Sequence, residues 1–220
     1  MTKNNVLTLA VLALLAAALS GCGALSYFTE KTFSAVTPPA MSKPAHSLAG
    51  KTVVVLVDAA PGLQTEGTPQ VALRVAQAVA RELADRKAAA AIVNPQDVAI
   101  AAQSDPQFGR KSVVDIGREF QADCVVYLVL QSFVLTQATG AESFNGYISV
   151  GVRVIDVKAG AQIWPAMDQV HFLDAASTAG IKADSQRQAE QVLLAGLARK
   201  VGMLFVSYNL EEAPRGAEVK

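Results

Sequence analysis

The sequence predicts a single α/β domain in which a mixed β-sheet is flanked by helices, with the elements in the order β-α-β-α-α-β-β-β-α. Three observations carry this. Short valine-rich runs alternate with segments of helical period through the first half of the domain. Ile148, Val150, Val152 and Val154 then alternate strictly with other residues, the period-two pattern of a strand with one buried face. The chain closes on a long apolar stripe at helical spacing. Helices between strands followed by a strand meander make a mixed sheet with helices packed on it.

Lys51 to Asp58 is a short apolar run rich in β-branched residues, the mark of a buried strand. A loop with Pro61, Gly62 and Gly67 follows. Thr68-Pro69 supplies a capping hydroxyl and a proline at the first helical position. From there Val71, Val75, Val79 and Leu83 form one apolar stripe, with Arg74, Gln77, Arg81 and Asp85 largely off it. Ala89 to Asn94 reads as a second strand and Pro95 to Ala102 as a short helix, ended at Ser104-Asp105-Pro106. Ser112 with Asp115 is a helix-start signal. A third strand runs from Cys124 to about Thr136.

Thr139-Gly140 and Asn145-Gly146 read as a polar connection to the alternating strand. Lys158-Ala159-Gly160 marks a tight turn, and Ala161 to Trp164 returns as a strand that Pro165 interrupts. Ser185 and Gln188 form a capping box for the last helix, whose stripe carries Val192 or Leu193, then Leu197, Val201, Leu204, Phe205 and Tyr208. The boundaries expected are a leader at 1–21, a tether at 22–50, the α/β domain at 51–210 and a charged, frayed tail at 211–220.

The N-terminus has the order of a secretory leader. Lys3 is followed by an uncharged run from Val6 to Leu19, shorter than the roughly 20 residues of a membrane-spanning helix. The run ends in Leu19-Ser20-Gly21-Cys22, which resembles the lipobox of bacterial lipoproteins at every position. The resemblance implies cleavage between Gly21 and Cys22, a diacylglycerol on the Cys22 thiol and an acyl chain, such as palmitate, on the new amine. Each buried acyl CH₂ contributes about 0.8 kcal/mol, and stable anchoring takes at least two chains. Gly23 stands where an aspartate would retain such a protein in the inner membrane, which implies the outer membrane, facing the periplasm. Gly23 to Gly50 contains Pro38, Pro39 and Pro44 and no sustained periodicity, the composition of an extended tether.

The chain has 19 basic and 19 acidic side chains, and loss of Lys3 with the leader leaves it slightly acidic. A nucleic-acid partner calls for a clustered positive excess, and none is present. With Cys22 used by the lipid, Cys124 stands alone in a buried-strand run, a small core residue. His46 and His171 are far apart with no acidic or cysteine cluster at ligand spacing, so no metal site is expected. His171 with Asp174 lacks a nucleophile elbow. Asp58 ends the first strand, where α/β sheets bind ligands, but Gly62 and Gly67 lead into no Gly-Lys-Ser/Thr. No cofactor and no enzymatic activity are expected. Arg153 lies opposite the valines of its strand and is the candidate partner contact. Trp164 reads as a core or sheet-edge anchor.

Three further features carry a wider resemblance: the valine-rich first strand, Gly117 to Asp123 in the pattern Gly-x-x-x-x-Ala-Asp, and Asp156 to Trp164 in the pattern Asp-x-x-x-Gly-x-x-x-Trp. Over roughly Lys51 to Tyr208 the chain resembles the superfamily that includes the curli secretion channel lipoprotein and the lipoprotein activators of peptidoglycan synthases. The resemblance implies an envelope lipoprotein that binds another envelope protein as adaptor, activator or assembly subunit. The alternative is an oligomeric component of a secretion or transport system, which brings in self-association. Every strand-like run is taken up by the core sheet, so no spare strands are expected for a pore of the curli type.

Overall fold

The computed structural model describes residues 41–63, 67–138 and 143–209, and at 177–180 the backbone alone. Gly21 and Cys22, most of the expected tether, Thr139-Gly140 and the charged tail lie outside the described residues. One compact unit spans Ser42 to Tyr208.

A six-stranded mixed sheet runs through the middle of this unit. Its strands are β1 (Thr52–Ala59), β2 (Ala91–Ile92), β3 (Cys124–Gln137), β4 (Ser143–Asp156), β5 (Ala161–Trp164) and β6 (His171–Lys182). The spatial order is β2-β1-β3-β4, with β5 and β6 sharing the far edge of β4. β1 is parallel to β2 and β3, whereas β4 is antiparallel to β3, β5 and β6. The helices are α1 (Thr68–Asp85), α2 (Pro95–Ser104), α3 (Val113–Glu119) and α4 (Gln186–Met203).

The expected α/β fold is present, with helices on both faces. The first face carries Val53, Val55, Cys124, Val126, Leu128, Val150, Val152 and Val154. It is covered by Val71, Val75, Val79 and Leu83 of α1 and by Leu193, Leu197 and Val201 of α4. The second face carries Val54, Leu56 and Val125, packed on Val98 of α2, Phe108 and Ile116 of α3. Local chemistry sets the helix starts. Asn94 accepts from the Gln96 N–H, and Ser112 and Ser185 accept from the N–H groups of Asp115 and Gln188, satisfying first-turn donors that have no partner within the helix. Gly160 takes a left-handed φ of 67° in the turn after β4, a conformation glycine adopts at no steric cost.

Four features depart from the sequence reading. Thr68 does not cap α1 with its hydroxyl as expected. It is buried, and Oγ1 donates to the Leu63 carbonyl at 2.6 Å while Gly67 occupies the cap position. Asn145-Gly146 is no turn: both residues lie inside β4, opposite Thr136 and Leu135. A Cβ on Gly146 would approach Leu193 at 3.1 Å and Ile181 at 3.2 Å, so glycine here admits α4 to the sheet.

The third departure is β6, which the expected order lacks. Its sequence is poor in β-branched residues and holds Ala175, Ala176 and Gly180, and its strand state comes from pairing with β4. β5 and β6 are two parts of one edge line, since Trp164 pairs with Val154 and His171 with Val152, with 165–170 looped out between. Finally, the end of the expected tether is held by the domain. Leu48 is fully buried, and the His46 N–H donates to the Leu204 carbonyl at 3.1 Å.

Candidate functional site

Along β4 every second residue from Ile148 to Val154 is fully buried against α1 and α4. The intervening residues Tyr147, Ser149, Gly151 and Arg153 point to the other face, where α2 and α3 make their contacts with β1, β3 and the last turn of β4. Beyond Tyr127 on β3, Val170 covers Gly151 on the second face, and among the described residues no helix covers the stretch around Val134 and Tyr147. Val134 is 48% exposed and pairs directly with Tyr147, which is 41% exposed. Asp174 lies opposite Ser149, and Phe172, 65% exposed, lies opposite Gly151. Large apolar side chains held in a row on a rigid sheet mark an interaction surface better than scattered ones do.

A polar row crosses the sheet where the covering helices stop. The Tyr127 hydroxyl donates to Oδ2 of Asp58 at 2.8 Å, and Arg153 is the cross-strand neighbour of Tyr127. Burial pushes the Tyr127 phenol up to about 12. The hydrogen bond to Asp58 and its negative charge act in the same direction, and the Arg153 cation opposes them. Arg153 Nε is buried and has no hydrogen-bond partner. A buried N–H without an acceptor costs about 1–3 kcal/mol.

Asp58 also borders an open cleft of about 410 Å³ between α1 and α2, lined by Leu73, Ala76, Pro95 and Val98. It lies at the carboxyl end of β1, as expected for Asp58, and its walls are mostly apolar, with Gln70 and Gln103 as further polar groups. Among the described residues no group of three or more His, Cys, Asp or Glu could hold a metal ion. His171 is half-buried, with its ring 5.1 Å from that of Trp164. Trp164 in turn meets Phe205 at 6.2 Å, edge to face, which makes it the sheet-edge anchor expected. Cys124 is fully buried, and burial raises its thiol to about 11. It is a core residue.

Arg153 thus sits where its alternation placed it, on the face opposite the valines. The sequence reading missed Tyr127 and the Val134–Tyr147 pair. The signal for Tyr147 was an aromatic residue in phase with Asn145, Ser149 and Arg153, and taking Asn145-Gly146 as a turn hid it. Asp58 and Tyr127 are 69 positions apart, and no spacing rule links them.

No family model matches the sequence, and no curated protein does either. Among solved structures the chain is similar to a PelC dodecamer from Paraburkholderia phytofirmans, at 16% identity and a TM-score of 0.44 over 77% of this chain and 97% of that one. It is similar to lipoprotein GNA1162 from Neisseria meningitidis, at 11% identity and a TM-score of 0.42 over 68% and 97% of the two chains. A third is the hypothetical protein CT253 from Chlamydia trachomatis, at 17% identity and a TM-score of 0.42 over 70% and 96%. At identities this low, function is argued from the site of the chain in hand.

Proposed function

We propose that the chain is a lipid-anchored envelope protein that serves as a self-associating subunit of a secretion or transport assembly, held through acylated Cys22 on the periplasmic side of the outer membrane. The observation that carries the reading is the stretch of the second face that no described helix covers, with Val134 and Tyr147 exposed side by side on β3 and β4. On the first face of the same strands Leu128, Leu130, Ile148, Val150, Val152 and Val154 are fully buried. In this reading the domain works by contact, and Arg153 meets an acidic group of the neighbour. A second reading, an adaptor or activator that docks a different envelope protein, draws on the same buried Arg153 Nε.

The anchor is tested by mass spectrometry of the mature N-terminal peptide, which should carry acyl mass on Cys22. Cys22→Ser should leave an unlipidated, mislocalised precursor. The assembly is tested by sedimentation of the lipidated protein in detergent. Wild type should give an oligomer, and Val134→Asp with Tyr147→Asp should give a folded monomer. A wild type that stays monomeric at every concentration sinks self-association and leaves the adaptor reading.

A further inference from the structure

We propose that the loop at 165–170, between β5 and β6, is a second membrane contact that dips into the headgroup layer of the bilayer holding the Cys22 anchor. The inference rests on the anchor reading and adds to it a named surface of the domain.

The loop leaves the sheet edge after Trp164 and returns at His171. It carries Met167, 74% exposed, at its tip, with Ile163 at 39% and Phe172 at 65% on its flanks. Val170 lies over Gly151, where an added Cβ would stand 2.6 Å from its Cγ1. This fixes the returning limb against the sheet. The Gln162 Nε2 amide lies within hydrogen-bonding distance of the carbonyls of Pro165 at 3.1 Å, Ala166 at 3.1 Å and Gln169 at 2.8 Å. The Gln169 N–H donates to the Ala166 carbonyl at 2.9 Å. The loop is thus built around the half-buried Gln162 amide, and Met167 is exposed at its tip.

The path of the chain favours lipid over protein as the occupant. The tether joins the domain beside this loop, because His46 bonds to Leu204 and the neighbouring Phe205 packs on Trp164. Roughly 20 residues separate Cys22 from Ser42, a reach of at most about 70 Å. A tether of that length holds the loop near the bilayer at an effective concentration on the order of millimolar, so a shallow contact suffices. Lys158, exposed in the turn between β4 and β5, suits anionic headgroups. Asp168, exposed beside Met167, stays at headgroup level and limits the depth.

The test uses the full acylated chain with Met167→Cys carrying an environment-sensitive fluorophore. Cys124 is buried and Cys22 is acylated, so labelling is confined to the loop. A label at Asn145→Cys, at the opposite end of β4, serves as control. On vesicles of phosphatidylethanolamine and phosphatidylglycerol the loop label should shift to the blue and be quenched by brominated acyl chains, while the control label does neither. In the wild-type chain, hydrogen exchange at 163–172 should slow on vesicles. Protein that floats with the vesicles and carries acyl mass, but shows a loop label still in water and unchanged exchange, overturns this inference and leaves the anchor intact. Absence of acyl mass removes the anchor and the inference with it. A blue shift that appears without vesicles as protein concentration rises assigns the loop to a second copy and overturns the lipid contact.

Discussion

One strand, β4, faces two environments. Ile148, Val150, Val152 and Val154 point to the side closed by α1 and α4, and each is fully buried. Tyr147, Ser149, Gly151 and Arg153 alternate with them and look out over a side that α2 and α3 cover only at one end. The first row makes the fold and tolerates little change. The second row is supported by the first, and its exposed member Tyr147 is free to vary with a partner, whereas Gly151 is held under Val170. Stability and interaction thus reside on opposite faces of the same 14 residues, and substitutions one position apart should separate them.

The largest effect is expected from Val152→Asp. The carboxylate would enter the core beneath α1 and α4 with no partner, at a cost of several kcal/mol against a typical total of about 5–15 kcal/mol. The variant should be unfolded or aggregated, and a cooperative urea transition close to that of wild type would refute the layer assignment. Deleting Ser185 to Tyr208 should have the same outcome, because it removes Leu193, Leu197, Val201 and Phe205 from the same core.

The covered end of the second face gives an intermediate case. A Cβ at Gly117 of α3 would stand 2.5 Å from Cγ2 of Val157 and 2.9 Å from Cγ2 of Val125. Gly117→Ala should therefore cost about 1–3 kcal/mol through overpacking, despite the better helix propensity of alanine. Chemical denaturation would show a lower midpoint at unchanged slope. A gain in stability would mean that α3 rides loosely on the sheet.

These contrasts also show what could be read from residue order. The buried row was legible because one-sided burial leaves a period of two, and α1 because four residues of its stripe recur at helical spacing. The edge strand β6 was not legible. It is half-exposed, rich in small residues, and held by pairing to β4 rather than by its own propensity. Asn145-Gly146 shows the converse error, in which good turn residues lie within a strand because the sheet needs close approach there. At the site, strand phase placed Arg153 correctly. The Asp58–Tyr127 contact depends on β1 and β3 being neighbours in parallel register, which only the assembled sheet reveals.

At the boundary between the two regimes, Tyr127 should give stability a dependence on alkaline pH. The folded phenol holds its proton to about 12, and the unfolded one loses it near 10. Between these values the unfolded state binds fewer protons, so stability falls as pH rises from about 10 and levels off above 12. Tyr127→Phe removes this contribution together with a hydrogen bond worth about 0.5–1.5 kcal/mol. The variant should therefore melt below wild type at neutral pH, with the gap narrowing as pH rises past 10. Parallel melting curves across that range would mean that the Tyr127 hydroxyl does not control the titration.

The smallest effect on the isolated domain, and the one that most sharpens the division between faces, belongs to Arg153→Met. Methionine keeps an unbranched stem that can lie beside Tyr127, while the buried Nε without an acceptor disappears. Losing a polar group that has no partner relieves a cost rather than breaking a contact, so the urea midpoint should hold steady or rise by up to about 1 kcal/mol in equivalent stability. Association should respond differently. If a neighbour brings a carboxylate to Arg153, truncating one side of that pair costs about 2–5 kcal/mol, and sedimentation should show dissociation at concentrations where wild type remains assembled. Loss of stability comparable to that of Gly117→Ala, with association unchanged, would make Arg153 a structural cation for the Asp58–Tyr127 pair. The second face would then owe its contacts to Val134 and Tyr147 alone.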